Sequence, residues 1–110
     1  MKKVLKPWGY ELIWAETENY ISKMIHINAG HRLSKQFHNI KEESLYVIRG
    51  TLCNYDENGT IHRFTPGQSL HIVPKQIHRF AAIESAVDVI EVSTPFLDDV
   101  VRLDDDYKRQ

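Results

Sequence analysis

Glycine and proline interrupt this chain so often that no stretch between residues 6 and 92 offers the length and periodicity of a helix. The intervening stretches are short and rich in β-branched and aromatic residues, which favour strands. We predict strands at residues 10–14, 20–27, 32–38, 44–48, 52–55, 61–64, 70–73, 77–82 and 87–92. Short strands separated by regular turn signals indicate an all-β protein, either an antiparallel sandwich or a barrel.

Turn chemistry and the C-terminal tail refine this prediction. The pair Asn58-Gly59 tolerates the positive φ of a tight turn and predicts a hairpin between the flanking strands. After Pro95 the apolar residues are spaced raggedly, so we expect either a short helix or an extended tail. We expect a single domain over residues 1–110, with an arm at 1–14, a core at about 20–94 and an acidic tail at 96–110.

The charge balance and the single cysteine exclude several classes of protein. Fourteen Lys and Arg residues against fifteen Asp and Glu residues give a net charge of −1, without the basic excess typical of nucleic-acid binding. No apolar run approaches the roughly 18 residues of a membrane span, and the N-terminus lacks the apolar segment of a signal peptide. Cys53 is alone and cannot form an intrachain disulfide. We therefore expect a cytoplasmic protein that binds neither nucleic acid nor membranes.

Four polar residues are candidates for a metal site. The alternation of a strand places Gln36 and His38 on one face. Glu43 begins the next predicted strand, and an antiparallel neighbour could bring it opposite His38. His78 opens another strand, although nothing in the spacing forces it to meet the other three. Two imidazoles, one carboxylate and one amide oxygen suit zinc, iron, manganese or nickel and leave room for water or an oxygen-bearing substrate.

These residues also resemble a known family, the cupins. The segment 30–50 is similar to the first conserved cupin motif, which has a glycine, an H-x-H pair, a glutamate and a second glycine. Its positions fall on Gly30, Gln36, His38, Glu43 and Gly50, with glutamine where many cupins have the first histidine. The segment 67–78 matches the second motif more loosely and ends on His78.

A sharper resemblance is to the C-terminal cupin module of bacterial type II mannose-6-phosphate isomerases and to related small stand-alone cupins. It is carried by Lys6-Pro7-Trp8-Gly9, Lys23, residues 33–38, Glu43 and residues 98–109. The resemblance implies a double-stranded β-helix, the jelly-roll barrel of the cupins. It also implies one divalent metal ion in the barrel mouth, with zinc favoured and iron, manganese or nickel possible. The implied ligands are Gln36, His38, Glu43 and His78.

The chemistry implied by this resemblance is aldose–ketose isomerisation of a sugar phosphate through an enediol that the metal stabilises. Glu43 would combine metal ligation with proton transfer, and His71 is a second candidate base. The candidate cations for substrate phosphate are Lys23, Arg32, Lys35 and Arg102. Lys23 and Arg102 are favoured because they match positions of the subfamily.

Two other functions stay open. The first is a metal- and carbohydrate-binding module without catalysis. In the bacterial two-domain enzymes this module follows a nucleotidyltransferase domain, which we do not expect in this sequence. The second is an iron-dependent oxygenase, which ranks last because Gln36 is not typical of a two-histidine, one-carboxylate set. We expect a homodimer, formed through strand exchange by the arm at 1–14 or through sheet packing, since an open sandwich has edges that need covering.

Overall fold

The computed structural model describes residues 1–109, which form twelve strands joined by turns. The all-β prediction is confirmed, and within the described residues there is no helix. The strands are β1 (Lys2–Lys6), β2 (Gly9–Glu16), β3 (Ile21–Ile27), β4 (His31–Arg32), β5 (Lys35–Phe37), β6 (Glu43–Arg49), β7 (Leu52–Tyr55), β8 (Ile61–Phe64), β9 (Ser69–Ile72), β10 (Arg79–Ala82), β11 (Val87–Ser93) and β12 (Val101–Asp104).

Antiparallel pairing assembles these strands into three sheets. A six-stranded sheet has the order β1-β2-β3-β11-β6-β9, and a four-stranded sheet has the order β4-β10-β7-β8. The third sheet is the pair β12-β5. The two larger sheets enclose one apolar core. It consists of Trp8, Ile25, Ile27, Leu33, Leu45, Val47, Leu52, Ile72, Phe80, Ala82, Val87 and Val89.

The hairpin predicted at Asn58-Gly59 is present as β7 and β8, which pair from Leu52 with Phe64 to Tyr55 with Ile61. Gly59 has a φ of 82°, the left-handed region that glycine enters without strain. The Asp56 carboxylate accepts hydrogen bonds from the backbone N–H groups of two turn residues, at 2.9 and 3.0 Å. The local turn chemistry therefore accounts for this hairpin.

Other segments differ from the predicted strands. The strand predicted at 32–38 is broken into β4 and β5, because β4 pairs with β10 whereas β5 pairs with β12. The arm predicted at 1–14 forms most of the hairpin of β1 and β2, which ends at Glu16 and belongs to the six-stranded sheet. The tail takes its extended form in β12 rather than a short helix. Among residues 1–109, no helix has the length and apolar character required to cross a lipid bilayer.

Candidate metal centre

The candidate metal centre lies at one end of the space between the sheets, where inward-facing positions change from apolar to charged. On β11 the inward residues Val87 and Val89 belong to the core, and the next inward residue is Glu91. On β3 the same alternation runs from Ile27 and Ile25 to Lys23. The alternation of each strand continues, but its inward side chains change from apolar to charged where the site begins.

Three side chains converge there with nitrogen and oxygen donors. The donor atoms of His38, Glu43 and His78 all lie within 4.8 Å of one another. Glu43 Oε1 is 3.5 Å from His38 Nε2 and 3.4 Å from His78 Nε2. All three residues are buried, with His78 only 1% exposed. Strand pairing brings them together, since β6 presents Glu43 inward and an isolated bridge joins His78 to Gln36.

Backbone carbonyls orient both imidazole rings. His38 Nδ1 lies 2.5 Å from the backbone oxygen of Asp99, and His78 Nδ1 lies 2.9 Å from that of Gln76. A carbonyl only accepts hydrogen bonds, so each Nδ1 carries the donated proton and each Nε2 is left to face Glu43. A metal ion bound between the three residues would take the two Nε2 lone pairs and the carboxylate oxygen. The donor set therefore fits a borderline divalent metal ion.

Gln36 borders the same cavity as these three residues. Its backbone exchanges two hydrogen bonds with His78, from Gln36 N to His78 O and from His78 N to Gln36 O, each 2.9 Å long. Its side-chain nitrogen is 3.4 Å from the backbone oxygen of Ser34. With the nitrogen so used, the amide oxygen is the atom of Gln36 that a cation would take.

A chain of buried charges extends from Glu43 away from the imidazoles. Lys41 Nζ lies 3.4 Å from Glu43 Oε2 and 3.5 Å from Glu91 Oε2. Lys23 Nζ lies 3.7 Å from Glu91 Oε2 and 3.1 Å from Glu11 Oε1. Charges this deep are tolerated only in mutual contact, because each isolated ion loses several kcal/mol of hydration. The two lysines and three carboxylates therefore form one unit, the buried ionic network.

The two central carboxyls of this network differ in protonation. Burial and repulsion by Glu43 raise the pKa of Glu91 to about 8. Burial alone would raise the pKa of Glu43, but hydrogen bonds with Glu91, His38 and His78 hold it well below its usual range. At neutral pH Glu91 thus keeps its proton and donates it in a hydrogen bond to an ionised Glu43. Glu43 faces the imidazoles as an anion, the form that ligates a metal.

The cavity has a volume of about 240 Å³ and is lined by residues of the metal centre, the buried ionic network and the tail. Four further cations line it: Lys2, Lys6, Arg102 and Arg109. We call these four residues the cationic rim. Burial lowers the pKa of Lys6, and the neighbouring charges of Lys23, Arg109 and Arg102 lower it further, whereas Glu11 opposes this shift. A cavity with this many cations favours an anionic ligand.

Of the four cations predicted to bind substrate, two line the main cavity and two do not. Lys23 and Arg102 line the cavity, although Lys23 is buried between Glu11 and Glu91. Arg32 instead binds the carboxylate of Asp106 through two nitrogens, at 2.6 and 2.9 Å, and borders a different, smaller cavity. Lys35 is not among the residues that line the main cavity.

The second candidate base, His71, lies on the outer face of the six-stranded sheet. β9 pairs with β6 so that Ile72 is opposite Glu43 and His71 is opposite Ser44. Neighbouring residues of a strand point to opposite faces, so His71 points away from the cavity that Glu43 faces. Its ring instead contacts the exposed carboxylate of Glu42, at 2.5 Å. His71 is therefore not placed to act on a ligand in this cavity.

Several residues of the site have no counterpart among the residues predicted from the sequence. Lys41, Glu91 and Glu11 form most of the buried ionic network, and Lys6 and Arg109 belong to the cationic rim. A signal existed for Glu91, which is in phase with Val87 and Val89 on β11, so a charged residue at a core-facing position was visible in the alternation. The position of Arg109 depends on the tertiary path of the tail and had no comparable signal.

Comparison with known proteins agrees with this geometry. Residues 1–105 match the family described as Mannose-6-phosphate isomerase C-terminal. The chain is 34% identical over 116 residues to mannose-1-phosphate guanylyltransferase ManC of Salmonella typhimurium. That alignment covers 98% of this chain and 23% of ManC, so the chain spans about a quarter of the length of this relative.

Solved structures with the same fold include KdgF from Halomonas sp., with a TM-score of 0.76 and 21% identity over 86% of this chain and 88% of that chain. Another is a sugar phosphate isomerase from a cupin superfamily of Silicibacter pomeroyi, with a TM-score of 0.68 and 17% identity over 77% of this chain and 58% of that one. These likenesses establish the double-stranded β-helix fold of the cupins. With the family match over nearly its whole length, the chain belongs to the family of mannose-6-phosphate isomerase C-terminal cupin domains.

Proposed function

We propose that this protein is a metal-dependent isomerase of sugar phosphates that interconverts an aldose and a ketose. The observation that carries the proposal is the convergence of His38, Glu43 and His78 in a cavity that also has a cationic rim. A divalent metal ion and an anionic group can both be bound within one small site. The family to which the chain belongs supports the same substrate class, as does its likeness to the sugar phosphate isomerase of Silicibacter pomeroyi.

The residues that would hold the metal are His38, His78, Glu43 and Gln36. When bound, a divalent metal supplies Lewis-acid stabilisation of the negative charge that develops on the substrate oxygens. Zinc fits the two imidazoles and the carboxylate, and iron, manganese or nickel would accept the same donors.

Proton transfer between the two neighbouring carbons of the sugar requires a base beside the metal centre. Glu43 meets this requirement, because it is ionised and borders the cavity. The hydrogen bond with Glu91 and the ammonium of Lys41 hold the Glu43 carboxylate in place. We therefore assign the proton transfer to Glu43 and withdraw His71 from that role, since it faces the opposite side of the sheet.

The substrate phosphate is assigned to the cationic rim. Arg102 carries a guanidinium group, which binds phosphate oxygens in pairs. Arg109, which the Asp105 carboxylate contacts at 2.8 Å, adds positive charge together with Lys2 and Lys6. Lys23 contributes indirectly, because its ammonium neutralises Glu11 and so prevents that carboxylate from repelling the phosphate.

A second candidate function is binding of a sugar phosphate without turnover. The outward position of His71 favours it, since this leaves Glu43 to serve as both ligand and base. The two candidates share the metal and the ligand class and differ only in the proton transfer.

The test begins with elemental analysis of untagged protein before and after treatment with a chelator. Stoichiometric metal that disappears in His78→Ala, but not in His71→Ala, is the expected result. The metal-loaded protein is then assayed for interconversion of mannose 6-phosphate and fructose 6-phosphate, followed by other hexose and pentose phosphates. Glu43→Gln is expected to abolish turnover, whereas His71→Ala keeps it.

The results either decide between the two candidate functions or overturn both. Binding of mannose 6-phosphate by calorimetry, without turnover of any sugar phosphate, would replace the isomerase by the binding module. Failure to bind zinc, iron, manganese or nickel at micromolar concentration would overturn both candidates.

A further inference from the structure

The tail supplies part of the wall of the main cavity. Two of the four cations of the cationic rim, Arg102 and Arg109, belong to it. The consecutive aspartates Asp104, Asp105 and Asp106 lie between them in the chain, but they are not among the described residues that line this cavity. The proposed activity gives these aspartates no role, although each carboxylate binds an arginine. Their role therefore follows from the arginines that they bind.

One buried guanidinium binds two of these aspartates. Arg79 is 5% exposed, and its Nη1 and Nη2 donate hydrogen bonds to Asp104 Oδ2 and Asp106 Oδ1, at 3.0 and 2.9 Å. Its Nε donates to the backbone oxygen of Leu33, at 2.8 Å. All three nitrogens of the guanidinium thus have an acceptor, which fixes its orientation. A guanidinium this deeply buried needs anionic partners to offset its lost hydration, so Arg79 holds the tail against β10.

A bulge in β12 directs Arg102 and Asp104 to opposite faces of the sheet that β12 forms with β5. Arg102 pairs with Gln36 of β5, and Asp104 pairs with the adjacent residue, Lys35. Adjacent residues of β5 point to opposite faces, so Arg102 shares the face of Gln36, and both line the cavity. Asp104 lies on the other face, where it contacts Arg79. The contact with Arg79 thus fixes the arrangement in which Arg102 faces the cavity.

We propose that Arg79 is a positioning residue, which holds the tail so that Arg102 and Arg109 face the substrate phosphate. The inference rests on the proposed function, which places an anion in this cavity. Arg79 is not among the described residues that line the cavity, so it acts through the tail alone. Arg32 also binds Asp106, but both of their side chains are more than a third exposed, and ion pairs of that kind contribute little. The buried contact therefore carries the positioning.

The test is the affinity for inorganic phosphate, measured by calorimetry on protein freed of metal by a chelator, so that no metal binds the phosphate. The double variant Asp104→Ala/Asp106→Ala removes two negative charges, which by long-range attraction alone would tighten the binding of an anion. Positioning predicts the opposite, a loss of about tenfold, because the two tail arginines are no longer held in place. Asp98→Ala is the matched control. It removes an acid of the same tail that is not an acceptor of Arg79, and it is expected to tighten phosphate binding.

Two single variants and zinc binding separate positioning from general support of the fold. Arg79→Met is expected to weaken phosphate binding as much as the double variant does, and Arg32→Met by less than about threefold. The double variant is expected to bind zinc as wild type does, because it changes no residue of the metal centre. It decides the test, since it leaves Arg79, which is buried and directly follows His78, in place.

Four results would overturn the proposal. If the double variant binds phosphate as tightly as wild type or more tightly, Arg79 does not position the tail arginines, and the proposed function still stands. Loss of zinc together with phosphate would show that the tail supports the whole site rather than the phosphate alone. A larger loss in Arg32→Met than in Arg79→Met would transfer the role to Arg32. A wild type that binds no phosphate would overturn both this inference and the assignment of phosphate to the cationic rim.

Discussion

The two ends of the space between the sheets use the same strands for opposite purposes. At one end Ile27 and Val87 face each other from β3 and β11 as part of the apolar core. At the other end the same two strands face each other through Lys23 and Glu91. The apolar end gains stability from every side chain that it removes from water. The charged end is equally buried, but each of its ions needs the others to offset lost hydration.

This contrast separates the part of the molecule that stabilises the fold from the part that binds a ligand. At the apolar end a change in side-chain volume changes the stability of the fold, because the side chains there are closely packed. At the charged end the stability changes when any ion loses its partner and when the pH changes. Variants at matched positions on the same strand should therefore behave differently, with effects that range from a large loss of stability to a small shift of the thermal midpoint.

The largest effect is expected from Ile27→Ala, at the apolar end of β3. Ile27 is 1% exposed, and the cavity left by its truncation should lower the free energy of unfolding by about 2–5 kcal/mol. Urea titration of metal-free protein measures this loss. Metal affinity, measured on the folded protein, should stay within a factor of a few. A large loss of metal affinity would mean that the two ends are not independent.

A smaller effect is expected from Lys23→Met, four residues away on the same strand. Removal of the ammonium leaves Glu11 and Glu91 without a shared partner and should lower the free energy of unfolding by about 2–3 kcal/mol. The double variant Lys23→Met/Glu11→Gln removes the carboxylate that Lys23 contacts at 3.1 Å and should recover at least half of this loss. An additive double variant would show that Lys23 and Glu11 are not coupled.

The third prediction concerns pH and Glu91→Gln. An unfolded glutamate ionises near pH 4.5, whereas folded Glu91 has a pKa of about 8. Between these values the folded state holds the extra proton, so its stability falls as pH rises from 4.5 towards 8. Relative to Glu91→Gln, metal-free wild type should lose roughly a few kcal/mol over this range. Equal pH profiles of the two proteins would contradict the assignment, and Glu84→Gln at an exposed position serves as the control.

The smallest effect is expected from Asp99→Ala in the tail. The Asp99 carboxylate accepts backbone hydrogen bonds from Asn39, Ile40 and Lys41, and these bonds lower its pKa to about 2, that of Ile40 contributing most. Its stabilisation is complete above pH 3.8 and is lost as pH falls towards 2. The midpoint temperature of wild type should exceed that of Asp99→Ala by a few degrees at pH 7. Scanning calorimetry from pH 7 down to pH 2 should show the two curves converge.

Local pattern was sufficient to predict much of this architecture. Alternation placed Gln36 and His38 on one face, and both border the cavity. The turn at Asn58-Gly59 followed from the conformational freedom of its residues. The strand predicted at 32–38 was broken because its two halves pair with different sheets, which a single-strand pattern does not contain.

The contacts of the site between residues far apart in the chain could not be predicted from such local patterns. His78 reaches Glu43 because its backbone pairs with Gln36 across the cavity, a contact between residues far apart in the chain. The family resemblance supplied that link where spacing did not. The position of His71 could not be predicted from the sequence. The register of β9 against β6 decides which face His71 occupies, and that register is a property of the folded sheet.

The hydrogen bonds that orient the His38 and His78 rings end on main-chain oxygens, those of Asp99 and Gln76. Every amino acid carries that oxygen, so a substitution at position 76 or 99 does not by itself remove the acceptor, although the Asp99 carboxylate also holds residues 39–41. Proteolytic cleavage of the tail would have a larger effect. A cut that frees the last dozen residues would strip His38 of its acceptor in one event, so the integrity of the tail, more than its composition, governs how well the site is assembled.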